Sequence, residues 1–317
     1  MSPARIPHAA TVVMLRDTQA GLEVLLTKRA AALSFMANLW VFPGGRLEPS
    51  DSAAEVLARI DTSDLADRRE RLAALDGGHL DLETVYGLHV AACRETFEEA
   101  GIMLGRPARG GECSRQQLAR LASRRAQASS ADGFIRLLVD EELTLNVGQL
   151  TYWSHWITPA REGKRFDTRF FVVELPGEQE ASADLSELTH HAWLTREHIE
   201  ARIGDRELAL APPTRATLED IWSSHAQHGT VAHMLRAERL RPVPPVLPKF
   251  LETSDGIAHV LMPWDSEYAT TPGEGHVTAQ GYPEHLTRLP SRWSPRFSAG
   301  RKDPSASVRA AVPPAAK

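Results

Sequence analysis

The sequence predicts a mixed α/β (α+β) fold, a sheet of mixed strand direction between helical layers, and two observations carry that prediction. Short runs of β-branched and aromatic residues alternate along roughly the first 226 residues with longer segments of helical period. One of those helical segments, around residue 95, is apolar on one side and acidic on the other, as a helix laid on a sheet must be. Strands are expected from Ala10 to Leu15, Leu22 to Thr27, Thr151 to Thr158 and Arg169 to Leu175, with a shorter one from His191 to Leu194. Helices are expected from Leu88 to Ala100, where Gly101 supplies a stop, and then from Ser114 to Ala126, Gly133 to Glu141, Arg196 to Ile203 and Thr214 to Ser224.

The two-faced helix carries the chemistry. His89, Cys93, Phe97 and Ala100 recur at the spacing of a face that packs against a sheet. Glu95, Glu98 and Glu99 fall together elsewhere on the cylinder, and each like-charged pair costs an isolated helix about 0.2–0.5 kcal/mol. Arg94 is the only basic residue at hand to relieve them. A hard cation would do so better, and a set of oxygen ligands that leaves positions for water and phosphate suits Mg²⁺ or Mn²⁺. The bland alternative is a solvated acidic face, which describes most runs of Glu on helices.

Upstream stands Phe42-Pro43-Gly44-Gly45, and the helix reads Arg94-Glu95-Thr96-Phe97-Glu98-Glu99-Ala100-Gly101-Ile102. Together these resemble the Nudix hydrolase signature, in which a glycine, a carboxylate and an Arg-Glu-x-x-Glu-Glu run share one sequence box. Asp51 stands where the family has Glu, and forty-two residues separate it from Arg94 where the family has seven. The insertion, about residues 52–86, reads as a helical excursion from Ala53 to Ile60 and Leu65 to Leu75 that ends at Gly77-Gly78. A box interrupted in this way resembles the acyl-coenzyme A diphosphatase subgroup. The resemblance implies a Nudix α/β/α sandwich, with Glu98 and Glu99 as principal metal ligands and Glu95 as ligand or general base. It also implies that Arg94 braces the carboxylates, that the Gly45 carbonyl completes the metal shell, and that Asp51 is a weaker candidate ligand.

Leu25-Leu26-Thr27-Lys28-Arg29-Ala30 resembles the coenzyme A motif that precedes the box in coenzyme A diphosphatases, except that Ser34 replaces its Arg and Asn38 its Gly. Read without the resemblance, the same run is a strand with a basic end in solvent. Lys28 and Arg29 are therefore candidate substrate contacts, Arg29 by a bidentate fork to phosphate. Arg169 joins them, because Arg165 to Phe171 resembles the segment that follows the box in the same subgroup; the alternative there is a strand edge with solvated charges. Glu187 is a candidate late metal ligand or a surface acid. The resemblance implies cleavage of coenzyme A or acyl-coenzyme A to 3′,5′-ADP and (acyl) phosphopantetheine. Another nucleoside diphosphate-linked substrate, or a non-catalytic nucleotide-binding module, is the alternative.

Composition limits the classes. A formal charge of −5 over 317 residues gives no basic field for nucleic acid, and no apolar run reaches the length of a membrane span. Cys93 and Cys113, the two cysteines, make neither a disulfide framework nor a metal spacing, and a cytoplasmic enzyme is expected, with a homodimer plausible by family habit. The histidines at 190, 191, 225, 228 and 233 lack zinc-site spacing and are assigned to the surface. The catalytic domain is expected over residues 5–226. An extension over 227–287 would pack on it, with a hairpin turn at Thr253 to Gly256. The basic stretch 288–317, seven cations against one acid, would be disordered.

Overall fold

The computed structural model describes residues 6–31, 36–61, 72, 79–182, 188–252, 258–274 and 282. Strand β1 (His8–Thr18) turns back into β2 (Gly21–Arg29) through a tight reversal in which Gly21 holds φ at 106°, a value that favours glycine. Two short strands follow, β3 (Trp40–Val41) and β4 (Gly44–Arg46), then a 3₁₀ turn (Pro49–Ser52) and a single helical turn, α1 (Ala54–Leu57). The long helix α2 (Leu82–Ala100) comes next, and then β5 (Gly105–Pro107), α3 (Arg115–Arg124), α4 (Ala131–Asp140) and β6 (Leu143–Leu145). The central strands β7 (Thr151–Ile157), β8 (Asp167–Glu174) and β9 (Leu188–Leu194) lead to α5 (Arg196–Gly204), α6 (Pro212–His228) and α7 (Val231–Ala237). The last elements among the described residues are β10 (Pro245–Val246), β11 (Lys249–Glu252) and β12 (Ala258–Leu261).

The main sheet runs β10-β7-β8-β1-β2-β3, with β4 also paired to β1 and β9 to β2. It is mixed, as expected: β1 pairs with β8, and β7 with β10, in parallel, while the other pairs are antiparallel. Val12, Val13, Met14 and Leu15 are consecutive and fully buried, because helices cover both faces of β1. On one face Leu88, Cys93 and Phe97 of α2 and Phe134 of α4 meet Phe171. On the other, Leu218, Ile221 and Trp222 of α6 and Met234 of α7 meet Val13 and Trp153. Each such large side chain contributes about 1.5–3 kcal/mol by leaving water, and the packed faces make the α/β/α sandwich.

The five expected strands are present within three residues at each end. The helix expected from Leu88 begins instead at Leu82, inside the stretch assigned to the insertion, because the Asp81 carboxylate accepts the Thr84 backbone N–H and caps it. Helix α6 crosses the expected boundary at residue 226 without a break. The helix expected from Leu65 to Leu75, apart from Leu72, together with the Gly77-Gly78 breaker, Glu187, the turn at Thr253 to Gly256 and the stretch 288–317, lies outside the described residues. The strands that flank that turn, β11 and β12, pair antiparallel as a hairpin requires. Among the described residues no helix is long and apolar enough to cross a membrane.

Three adjacent strands also build a polar cluster inside the sandwich. Cross-strand register sets His8 opposite Asp167 and His155 opposite Arg169, and Asp167 and Arg169, two apart on β8, share a face. The Asp167 carboxylate meets His155 Nε2, His8 Nδ1 and the Arg169 guanidinium. Burial, aided by the Arg169 charge, lowers His155 to about 4 against the pull of Asp167. Burial works against Asp167 ionising, but His155, His8 and Arg169 outweigh it and hold its carboxyl far below the usual range. An unfolded His titrates near 6.5, so between about pH 6.5 and 4 the unfolded chain binds a proton that folded His155 refuses. The contribution is complete above that window and lost as pH falls through it, up to about 3 kcal/mol. Asp167 adds stability that is present above about pH 3.9 and lost at still lower pH. The expected result is a melting temperature that drops between pH 7 and 5, with a flatter slope in His155→Gln, which keeps a donor toward Asp167 but cannot titrate. Equal slopes in the two proteins would refute this account.

Candidate active site

Helix α2 presses His89, Cys93, Phe97 and Ala100 into the core, and the remaining turn of its surface carries Glu95, Glu98 and Glu99 toward the loop that contains β4. That loop is fixed by β1: Thr11 pairs with Gly44 and Ala10 with Gly45. The Gly44 N–H donates to Glu99 Oε2 at 2.8 Å. A Cβ on Gly45 would collide with the Glu95 carboxylate, and one on Gly44 would crowd the Ala10 carbonyl and Thr11, so the two glycines are what lets strand and helix approach.

Arg94 sits beneath these carboxylates with its side chain 3% exposed. Its Nε and one terminal nitrogen grip Asp51 at 2.8 and 3.1 Å, a bidentate fork. Its other terminal nitrogen reaches Glu95 Oε1 at 2.8 Å and Glu98 Oε2 at 3.3 Å. Asp51 is buried, accepts the Glu48 N–H, and does not line the cavity described next, so its place is behind Arg94 and not among the candidate ligands. The long insertion thus leaves intact the contact on which the helix geometry depends. Burial, reinforced by the like charge of Glu98 and opposed by Arg94, pushes the Glu95 carboxyl up to about 7.

A cavity of about 1020 Å³ opens over this patch. Glu95, Glu98, Glu99, Gly44, Gly45 and Arg46 line it, and so do Trp156, Phe170, Leu210, Pro212, Phe250 and Val260. Arg29 and Lys164 line it as well. Two expected contacts do not. The register of β2 against β9 shifts between Lys28 and Arg29, and of the two it is Arg29 that lines the cavity. Thr168 and Phe170 line it from β8, so Arg169, between them, faces the opposite side of the sheet and is fully buried in the His8–Asp167 cluster. It is neither a cavity contact nor a solvated strand edge. Asn38, in the position where the coenzyme A motif has glycine, adopts φ 61°, the left-handed conformation that glycine favours and Asn tolerates. Ser34 lies outside the described residues.

The carboxylate types suit a hard divalent cation, but among the described residues no three His, Cys, Asp or Glu side chains are grouped closely enough to hold one. The hydrogen bonds give the reason: Arg94 draws Glu95 and Glu98 to itself, and Gly44 holds Glu99. A cation would have to compete with the guanidinium for the first two. The donor set, its convergence on one cavity wall and the close approach at Gly45 fit a metal; the rotamers are those of Arg94-bound carboxylates. Sequence reasoning overlooked Trp156, Lys164, Pro212, Phe250 and Val260, which lie far from the box in the chain and share no local motif with it.

A family model described as NUDT19 Nudix domain matches residues 4–220. The chain belongs to the Nudix hydrolase family. Among solved structures, this Nudix hydrolase is similar to one from Alicyclobacillus acidocaldarius, 27% identical with a TM-score of 0.56, over 73% of this chain and 96% of that one. Among curated relatives it is 27% identical over 277 residues to the Xenopus laevis protein named acyl-coenzyme A diphosphatase NUDT19, covering 79% of this chain and 72% of the relative. The Homo sapiens protein of the same name is 27% identical over 288 residues, covering 83% and 76%.

Proposed function

We propose that this Nudix diphosphatase hydrolyses the diphosphate of coenzyme A or acyl-coenzyme A, releasing 3′,5′-ADP and (acyl) phosphopantetheine. The observation that carries the reading is the cavity: one cavity is lined both by carboxylates suited to a metal-bound diphosphate and by apolar side chains suited to a long tail. The names of the relatives and the left-handed Asn38 support it.

Glu95, Glu98 and Glu99, with the Gly45 carbonyl, would hold Mg²⁺ or Mn²⁺. Such an ion supplies neutralisation of phosphate oxygens and a more acidic water. The chain supplies the rest. Arg94, locked on Asp51, fixes where Glu95 and Glu98 point. Glu95, on the cavity wall beside Glu98 and Glu99, would serve either as a ligand of that ion or as the base that accepts a proton from water. Arg29, Arg46 and Lys164 give the cavity cationic groups for phosphate oxygens.

The test is a panel of coenzyme A, short and long acyl-coenzyme A, ADP-ribose, NADH and diadenosine polyphosphate with Mg²⁺ or Mn²⁺, the products read by mass. Release of 3′,5′-ADP from the coenzyme A compounds is the expected result. Preferential cleavage of another member would overturn the substrate and keep the chemistry.

A further inference from the structure

We infer that the ribbon of β11 and β12, which lies beyond the matched residues 4–220, forms the part of the cavity wall that holds the thioester-linked tail, with Phe250 setting chain-length preference. The inference rests on the coenzyme A reading above.

The chain returns to the site because β10 adds to the sheet edge in parallel with β7, beside His155 and Trp156. Period-two alternation then decides what the ribbon shows. Phe250 pairs with Val260 across the two strands, and both line the cavity. Lys249, one residue earlier, points to the other side and is buried. There its ammonium donates to the carbonyls of Tyr268 and Thr271, each at 3.0 Å, while the Tyr268 hydroxyl donates to the Leu247 carbonyl. A buried ammonium is tolerated only when it is satisfied in this way, so the ribbon is pinned in place from behind. Its front is a built wall.

That wall is apolar. Phe250 and Val260 stand with Pro248, Trp156 and Phe170 on the cavity surface, and the Phe250 ring, half-buried, also carries the Arg161 guanidinium 5.5 Å from its centroid. A diphosphate or the edge of a nucleobase calls for hydrogen-bond partners that this surface does not concentrate, whereas a pantetheine or acyl chain asks only for area. With the diphosphate anchored at the carboxylates, the tail is the part of the substrate that such a surface recognises.

The experiment measures kcat/KM of the full chain on coenzyme A, acetyl-, octanoyl- and palmitoyl-coenzyme A for wild type, Phe250→Ala and Phe250→Leu, with melting temperatures alongside. The octanoyl to free coenzyme A ratio should fall about tenfold in Phe250→Ala, the scale on which an apolar pocket reads a methylene or two. A smaller fall is expected in Phe250→Leu, which keeps apolar cover over the ribbon. If both substrates lose equally and the ratio stays at its wild-type value in both variants, the ring touches the shared part of the molecule and the inference is overturned while the function stands. If wild type cleaves no coenzyme A compound, the function reading fails first and the inference falls with it.

Discussion

Glu98→Gln and Glu99→Gln each lower kcat/KM by about 10²–10³-fold while the fold survives. An ion that neutralises phosphate oxygens is worth several kcal/mol in the transition state, and each 1.36 kcal/mol is a factor of ten. A neutral amide is a poor ligand for a hard cation, so a single Gln removes much of that term. It also preserves the local structure, since a Gln amide oxygen can still accept the Gly44 N–H that Glu99 now binds and the Arg94 N–H that reaches Glu98 at 3.3 Å. The comparison is made at saturating Mg²⁺ and again over a Mn²⁺ titration, with melting temperature as the control for folding. Calorimetric titration of Mn²⁺ supplies a readout free of turnover, with weaker binding expected in both variants. Near-normal turnover in both would remove the metal assignment and return the acidic face to the ordinary role of solvated charge.

What the sequence could show depended on how local the signal was. The long strands and the two-faced helix were legible because a short continuous apolar run and a 3.6-residue period are both written in neighbouring residues, as in Val12 to Leu15 and in Cys93, Phe97 and Ala100. Strands β3 and β4 were not, since two or three residues carry no period; β3 is held by its pairing to β2 and β4 by the glycines' approach to β1. The site divided in the same way. Arg94, Glu95, Glu98 and Glu99 came from one helix and could be grouped by spacing, and the structure places all four on the cavity wall. The tie from Arg94 to Asp51 spans 43 positions, and only the resemblance hinted that Asp51 belonged nearby. Phe250 and Val260 could be read as the arms of a hairpin but not as cavity wall, because a lining residue is defined by what surrounds it. Lys28 and Arg169 were drawn in by segments that resemble those of coenzyme A diphosphatases, and such a resemblance does not say which way a strand residue points.

Arg169→Met lowers the melting temperature by about 10 °C and leaves KM for the substrate nearly unchanged. The guanidinium is fully buried and holds Asp167 Oδ1 at 2.8 Å and His8 Nδ1 at 3.0 Å. Methionine fills much of the volume but leaves the Asp167 carboxylate without its one permanent cation, since His155 is neutral above about pH 4. Breaking a buried pair from one side costs about 3–5 kcal/mol, and each kcal/mol moves the midpoint of a domain of this size by about 2–4 °C. Removing both charges should recover much of the loss, so Asp167→Asn combined with Arg169→Met melts above the single variant. The kinetic half of the prediction separates the two roles proposed for this residue. A cavity contact to phosphate would raise KM sharply and leave the melting point almost where it was, while an interior cation beneath the sheet does the reverse. Thermal denaturation and steady-state kinetics on one preparation therefore decide between them, and a KM rise without a stability loss would place Arg169 back in the cavity.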